Sequence, residues 1–270
     1  MPYLWLTIAI VLYGVGLVYA LFTLRARREH LESVVIAAVR AGALFHLVAL
    51  SESVWSSGNL TFLTVQRAES LLAFLLMLLF FFTYWRYQTM SHGIFVFPLV
   101  FLLTLFTAIG DKPIEFNSSL LRSGWIFTHI ALILAGYAAL FFSFASSILY
   151  LVQERSLKSR SFTGVSARLP ALQVIDDIGF RSLLLGFPFM TLGLIAGSVI
   201  AEASYGAGFF RDPKIVLSLV MWAVYMLLLY SRWTAGWRGR RAALLSTVAF
   251  ISATLAWAAN YISSVHRFGQ

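Results

Sequence analysis

The chain has 270 residues, of which 60% are hydrophobic and 11% charged, with a mean hydropathy of +0.84. A water-soluble domain of this length carries about 25% charged residues, so lipid must solvate much of this chain. The formal charge of +9 implies no nucleic-acid partner, because short cytoplasmic loops of membrane proteins collect Lys and Arg, and the lack of cysteine excludes a disulfide, a thiolate metal site, a thiol nucleophile and a c-type haem attachment motif in this chain.

A spanning helix needs about 20 mostly apolar residues. Eight segments qualify: 3–24, 33–53, 69–85, 93–109, 125–152, 182–202, 215–231 and 242–263. They predict an all-α, polytopic membrane helix bundle forming a single integral domain over residues 1–270. The first segment has no basic stretch before it and no small-residue cleavage site, so it reads as a spanning helix and not as a removed signal. Residues 25–30 form a short basic connection, 54–68 a polar one, and 86–92 a tight turn. Residues 110–124 carry Asp111, Pro113 and Asn117, and 153–181 form the longest connection. Within it, Leu169, Leu172, Ile175 and Ile178 recur at helical spacing, which predicts an amphipathic stretch over 167–180 lying along the cytoplasmic interface. Residues 203–214 are rich in glycine and aromatics, and 232–241 read RWTAGWRGRR. No repeat of fixed period stands out, so an inverted-repeat transporter is not indicated.

Lys and Arg sort the connections into two sets. The set beginning at Arg25 holds thirteen, most of them in 153–181 and 232–241; the other holds six, namely Arg67, Lys112, Arg122, Arg211, Lys214 and Arg267. The richer set belongs in the cytoplasm, which places both termini outside.

Ionisable residues within membrane segments are costly and invite a functional reading. Those in or near the spans are Arg40, His46, His129 and His266. Imidazole is a common haem and metal ligand, and haem iron often takes one axial ligand from each face of the ring. His129 lies near the start of the fifth segment and His266 just past the end of the eighth, so both sit within about two helical turns of the outer surface. Taken singly, each reads first as a helix-end histidine at headgroup level; two at the same depth shift the reading towards axial ligation. His46 reads either as a further ligand or as a histidine bonded to a neighbouring helix. Arg40 reads as a snorkelling residue or one paired inside the bundle. His30 and His92 fall in turns and are expected to be solvated. In the segment Tyr205 to Lys214, aromatic rings could stack on a porphyrin and Arg211 or Lys214 could pair with carboxylates; an ordinary interfacial aromatic belt accounts for the same composition.

Several stretches resemble the cytochrome c assembly membrane proteins of the CcsA/ResC and HemX-like type. The run from Asp176 through Gly197 resembles the segment before that family's tryptophan-rich motif. Asp212-Pro-Lys214, followed by Trp222 and Tyr225, is similar to the motif's end and the next helix, and Gly236 to Arg241 to the family's basic turn. The stretch His129 to Ala139 resembles the helix carrying one outward-facing haem ligand, and Asn260 to His266 the segment carrying the other. The likeness covers about 125–270. It implies haem b held between His129 and His266 at the outer face of a bacterial inner membrane, over a platform of residues 205–214. Tyr205, Phe209 and Phe210 would stack there, and Arg211, Asp212 and Lys214 would complete the binding segment. The chain departs from the pattern at Ile200, Tyr205, Phe209 and Arg211, where the family usually has tryptophan, at Ile215 in place of glutamate, and at Tyr230 in place of histidine. The platform is degenerate, and the length resembles the short HemX-like and YpjD-like members.

The expectation is therefore a haem-handling component of c-type cytochrome biogenesis. It would deliver haem to an apocytochrome c alongside another membrane subunit, in a haem lyase or cytochrome c synthase. No base–nucleophile pair points to catalysis by this chain alone. A HemX-like regulatory or scaffold protein without haem transfer is the alternative, and a small-solute transporter the third reading.

Overall fold

The computed structural model describes residues 2–23, 32–57, 65–109, 124–161 and 166–259. His30 and His266 lie outside them. The described residues form eight α-helices, as the hydropathy pattern predicts: α1 (Pro2–Thr23), α2 (Glu32–Ser57), α3 (Val65–Tyr87), α4 (Gly93–Ile109), α5 (Gly124–Ser159), α6 (Leu172–Tyr205), α7 (Pro213–Trp233) and α8 (Arg240–Ala258). Seven are long and apolar enough to cross a membrane, and α4, at 17 residues, is the shorter exception. Helices are the natural outcome for such segments, because a helix satisfies its own backbone groups where no water can. Pro98 in α4 and Pro188 in α6 are accommodated within these helices.

Two helices outrun their apolar cores. The amphipathic stretch expected over 167–180 is not a separate interfacial helix. From Leu172 onward it forms the opening turns of a continuous α6, while α5 runs on to Ser159. The charged residues of that connection had masked helical backbone.

The chain divides into two compact units, Met1–Pro113 with Val152–Ala171, and Ile114–Leu151 with Leu172–Gln270. In the first, α1 packs on α2 and α4, and α3 packs on α4. Gly16 lets α1 approach Val39 and Phe97 closely, and Phe80 meets Phe97 edge to face at 4.7 Å.

The second unit is built from α5 to α8. Its core joins Leu140, Leu183, Met190, Met221, Tyr225 and Leu228 to a face of small residues on α8, among them Ala249, Ala253 and Ala256. In lipid, helices associate through close van der Waals contact, which small residues permit. The same logic shapes the α5–α6 pair. Gly179 faces Ser146, Gly186 faces Ala139, Gly193 faces Ile133 and Gly197 faces His129. Each step up one helix matches a step down the other, so the two run antiparallel. Gly179, Gly186 and Gly193 recur every seven residues, the period that keeps one seam facing a partner in left-handed packing.

Candidate functional site

His129 sits on the second turn of α5, half-buried against α6. Its Nδ1 lies 2.7 Å from the carbonyl oxygen of Gly193. A carbonyl only accepts, so Nδ1 carries the proton and donates it. In a neutral imidazole the other nitrogen, Nε2, then keeps its lone pair. No described residue forms a hydrogen bond with Nε2. A ring nitrogen anchored to a backbone carbonyl, with the opposite nitrogen bare, is the arrangement found behind most histidine metal ligands. His129 therefore fits the donor chemistry that haem iron requires.

The segment that follows α6 lies in the same unit. The helix ends at Tyr205, and Gly206 adopts a left-handed backbone with φ of 65°. A residue with a Cβ would resist that turn. A short 3-10 helix, Gly206–Arg211, leads to Asp212. Asp212 is the N-cap of α7: its carboxylate accepts from the Lys214 backbone N–H at 2.9 Å, and Pro213 takes the first helical position, where its missing N–H costs nothing. The Asp-Pro-Lys motif is thus a helix-start signal with a structural basis. Ile215 occupies the third helical position, where glutamate could reach back in a capping box. Lys214, placed by this cap, is near enough to His129 and to Asp212 to act on both electrostatically.

The remaining candidates divide. Phe210 is 56% exposed and Phe209 only 4%, with their ring centroids 4.0 Å apart. Phe210 is thus the exposed ring of the pair and Phe209 the buried one. Arg211 is exposed. Tyr205 contributes the last residue of α6. His266 lies outside the described residues.

His46 belongs to the first unit and is fully buried. Its Nδ1 is 3.3 Å from the Tyr13 hydroxyl on α1 and its Nε2 is 2.8 Å from the Ser70 hydroxyl on α3. Both ring nitrogens are engaged by neighbouring helices, which matches the second of its two sequence readings. Arg40 is exposed on α2 and forms no ion pair among the described residues.

His92 corrects the expectation of a solvated turn. It has 0% exposure, and burial pushes its imidazole down to about 4. Its carbonyl accepts from Phe95 and Val96 at 3.0 Å, so the residue caps α4.

Sequence reasoning missed three things. Gly193 and Gly197 were visible only as small residues in an apolar run, although the seven-residue glycine spacing was a signal. Arg232 was counted as a loop charge, yet it makes a bidentate pair with Asp176 at 2.9 and 3.0 Å and lies 4.7 Å over the Phe180 ring. That pair borders a small polar cavity lined by Ser143, Ser146, Ser147 and Tyr150.

Fold and sequence together define an integral, multi-pass α-helical membrane protein. The sequence pattern described as "Cytochrome C assembly protein" matches residues 62–265, reaching back beyond the 125–270 likeness to include α3 and α4. The chain is 31% identical over 209 residues to the cytochrome c biogenesis protein CcsA of Prochlorococcus marinus, covering 68% of each chain. It is 29% identical over 219 residues to that of Heterosigma akashiwo, covering 67% of this chain and 68% of the relative. This chain belongs to the cytochrome c assembly protein family.

Proposed function

We propose that this protein handles haem b during c-type cytochrome maturation, holding it at the outer face of a bacterial inner membrane for transfer to an apocytochrome c. The observation that carries the reading is the His129 ring, bonded through Nδ1 to Gly193 with Nε2 bonded to no described residue. The names of the relatives, cytochrome c biogenesis proteins, support the pathway. Haem brings an iron with two axial positions and two propionate carboxylates. His129 and His266 are the proposed axial ligands. Phe210, backed by Phe209, and Tyr205 offer aromatic contact. Lys214 and Arg211 supply cations for the carboxylates, with Asp212 positioning Lys214 through the helix cap. His46 is left out of the ligand set, because both of its nitrogens are engaged. The apocytochrome supplies the thiols, since this chain has no cysteine. A second membrane subunit completes the assembly, and both termini face outward.

Titration of the purified protein with haemin tests this. The parent is expected to give a low-spin, bis-imidazole spectrum, and His129→Ala and His266→Ala each to weaken binding. A parent that takes up no haemin refutes the proposal and favours the HemX-like scaffold.

A further inference from the structure

We propose that α6 is the positioning element for the His129 ligand: the Gly193 carbonyl holds Nδ1–H, and the bare Gly197 face forms the slot that admits the ring. This rests on the haem-ligand reading above and adds residues that reading does not require.

The geometry is specific. The Gly193 carbonyl lies in the middle of α6 and bonds His129 at 2.7 Å across the seam. A Cβ on Gly197 would fall 2.5 Å from His129 Cε1 and 2.7 Å from Nδ1, so no side chain fits without moving the ring. A Cβ on Gly193 would meet the Ile133 side chain at 2.8 Å, so glycine there also brings α5 close enough for the bond to form. Two glycines one turn apart thus do two jobs: one sets the approach that brings a carbonyl within reach, the other clears space for the imidazole. The bond fixes the tautomer, and the unprotonated nitrogen lies along the Gly197 face, 3.3 Å from where a Cβ there would stand. Groups that orient a metal-bound histidine act through its basicity and angle, and losing them lowers affinity by about 10- to 100-fold.

The seam supplies its own control. A Cβ on Gly186 would meet Ala139 Cβ at 3.0 Å and the Gly136 carbonyl at 3.2 Å, crowding α5 and α6 without touching His129. Gly197→Ala and Gly186→Ala should therefore both strain the helix pair, but only the first should change the haem spectrum. With haemin as the probe, Gly197→Ala is expected to weaken binding by about 10-fold or more and to shift the spectrum from low-spin towards high-spin. Free imidazole should restore part of the low-spin signal. Gly186→Ala should match the parent.

A second measurement needs neither haem nor a folded glycine variant. The parent labelled with 15N-histidine should show His129 protonated at Nδ1 and bare at Nε2, the signal being assigned by its loss in His129→Ala. If the parent binds haemin and Gly197→Ala behaves as Gly186→Ala does, the positioning role is overturned while the haem reading stands. If the parent takes up no haemin, the haem reading fails. The positioning role then falls with it. If the parent binds haemin but Gly197→Ala does not fold, the tautomer decides: an Nε2-protonated His129 overturns the inference and an Nδ1-protonated one supports it.

Discussion

His92 sits between α3 and α4 with none of its surface exposed, and burial holds its imidazole near 4, below the ordinary 6.5. The folded turn therefore keeps the neutral ring. As pH falls from about 6.5 towards 4, the unfolded chain takes up a proton that the folded one refuses. Stability is complete above that window and declines through it, by at most about 3 kcal/mol. Thermal unfolding in detergent should fall with pH more steeply for the parent than for His92→Gln; superimposable profiles would contradict the burial. Tyr225 makes the converse case. Its hydroxyl is buried and has no hydrogen-bond partner among the described residues. An unsatisfied buried polar group costs about 1–3 kcal/mol, so Tyr225→Phe should leave the melting temperature unchanged or raise it. A clear drop would mean that the hydroxyl has a partner. Residue-scale burial was the least legible feature of the sequence. His92 stands beside Thr89 and Ser91, whose hydroxyls lie 2.9 Å apart, and a polar turn closed on itself reads in sequence like one open to water.

At the scale of the helix, hydropathy carried most of the information. The start of α4 falls at Gly93, the first residue of the predicted segment 93–109, and the helix continues to Ile109, the last described residue before 124. The prediction fell short where charged residues continue a helix past its apolar span, as at Glu154 and Lys158, which pair at 2.8 Å one turn apart in the last turns of α5. The Asp176–Arg232 pair ties α6 to α7 in the same way, and its side chains are 20% and 10% exposed. Breaking such a pair leaves one charge uncompensated and should cost up to about 3 kcal/mol. Arg232→Leu is expected to lower the melting temperature of the protein while leaving haemin binding at the far end of α6 intact. An unchanged melting temperature would show that the pair is solvent-screened. Sequence separation hid this contact: 56 residues divide the partners, and nothing local in either segment reports the other. The glycine seam was hidden differently, since glycine carries no hydropathy signal and its meaning lies in the helix that it faces.

At the scale of the whole chain, the orientation rests on an excess of Lys and Arg in alternate connections. The absence of cysteine makes it directly testable. Single substitutions Arg27→Cys and Asn117→Cys fall in the sets of connections richer and poorer in Lys and Arg, respectively. A membrane-impermeant maleimide applied to intact cells should label Asn117→Cys and spare Arg27→Cys; the reverse pattern would invert the topology and put the His129 end of α5 on the wrong side for an outward-facing apocytochrome. The family was legible from the Asp-Pro-Lys start of α7 and the histidines of α5 and the last segment. The fit of His129 to its proposed role was not, because it depends on a carbonyl 64 residues away. The most direct measurement is the absorbance spectrum of the protein purified from haem-replete cells, read against His129→Ala prepared identically. A low-spin Soret band that is present in the parent and largely lost in the variant is the expected result. A parent without haem absorbance, or a variant with the same spectrum as the parent, would contradict the assignment of His129 as the iron ligand.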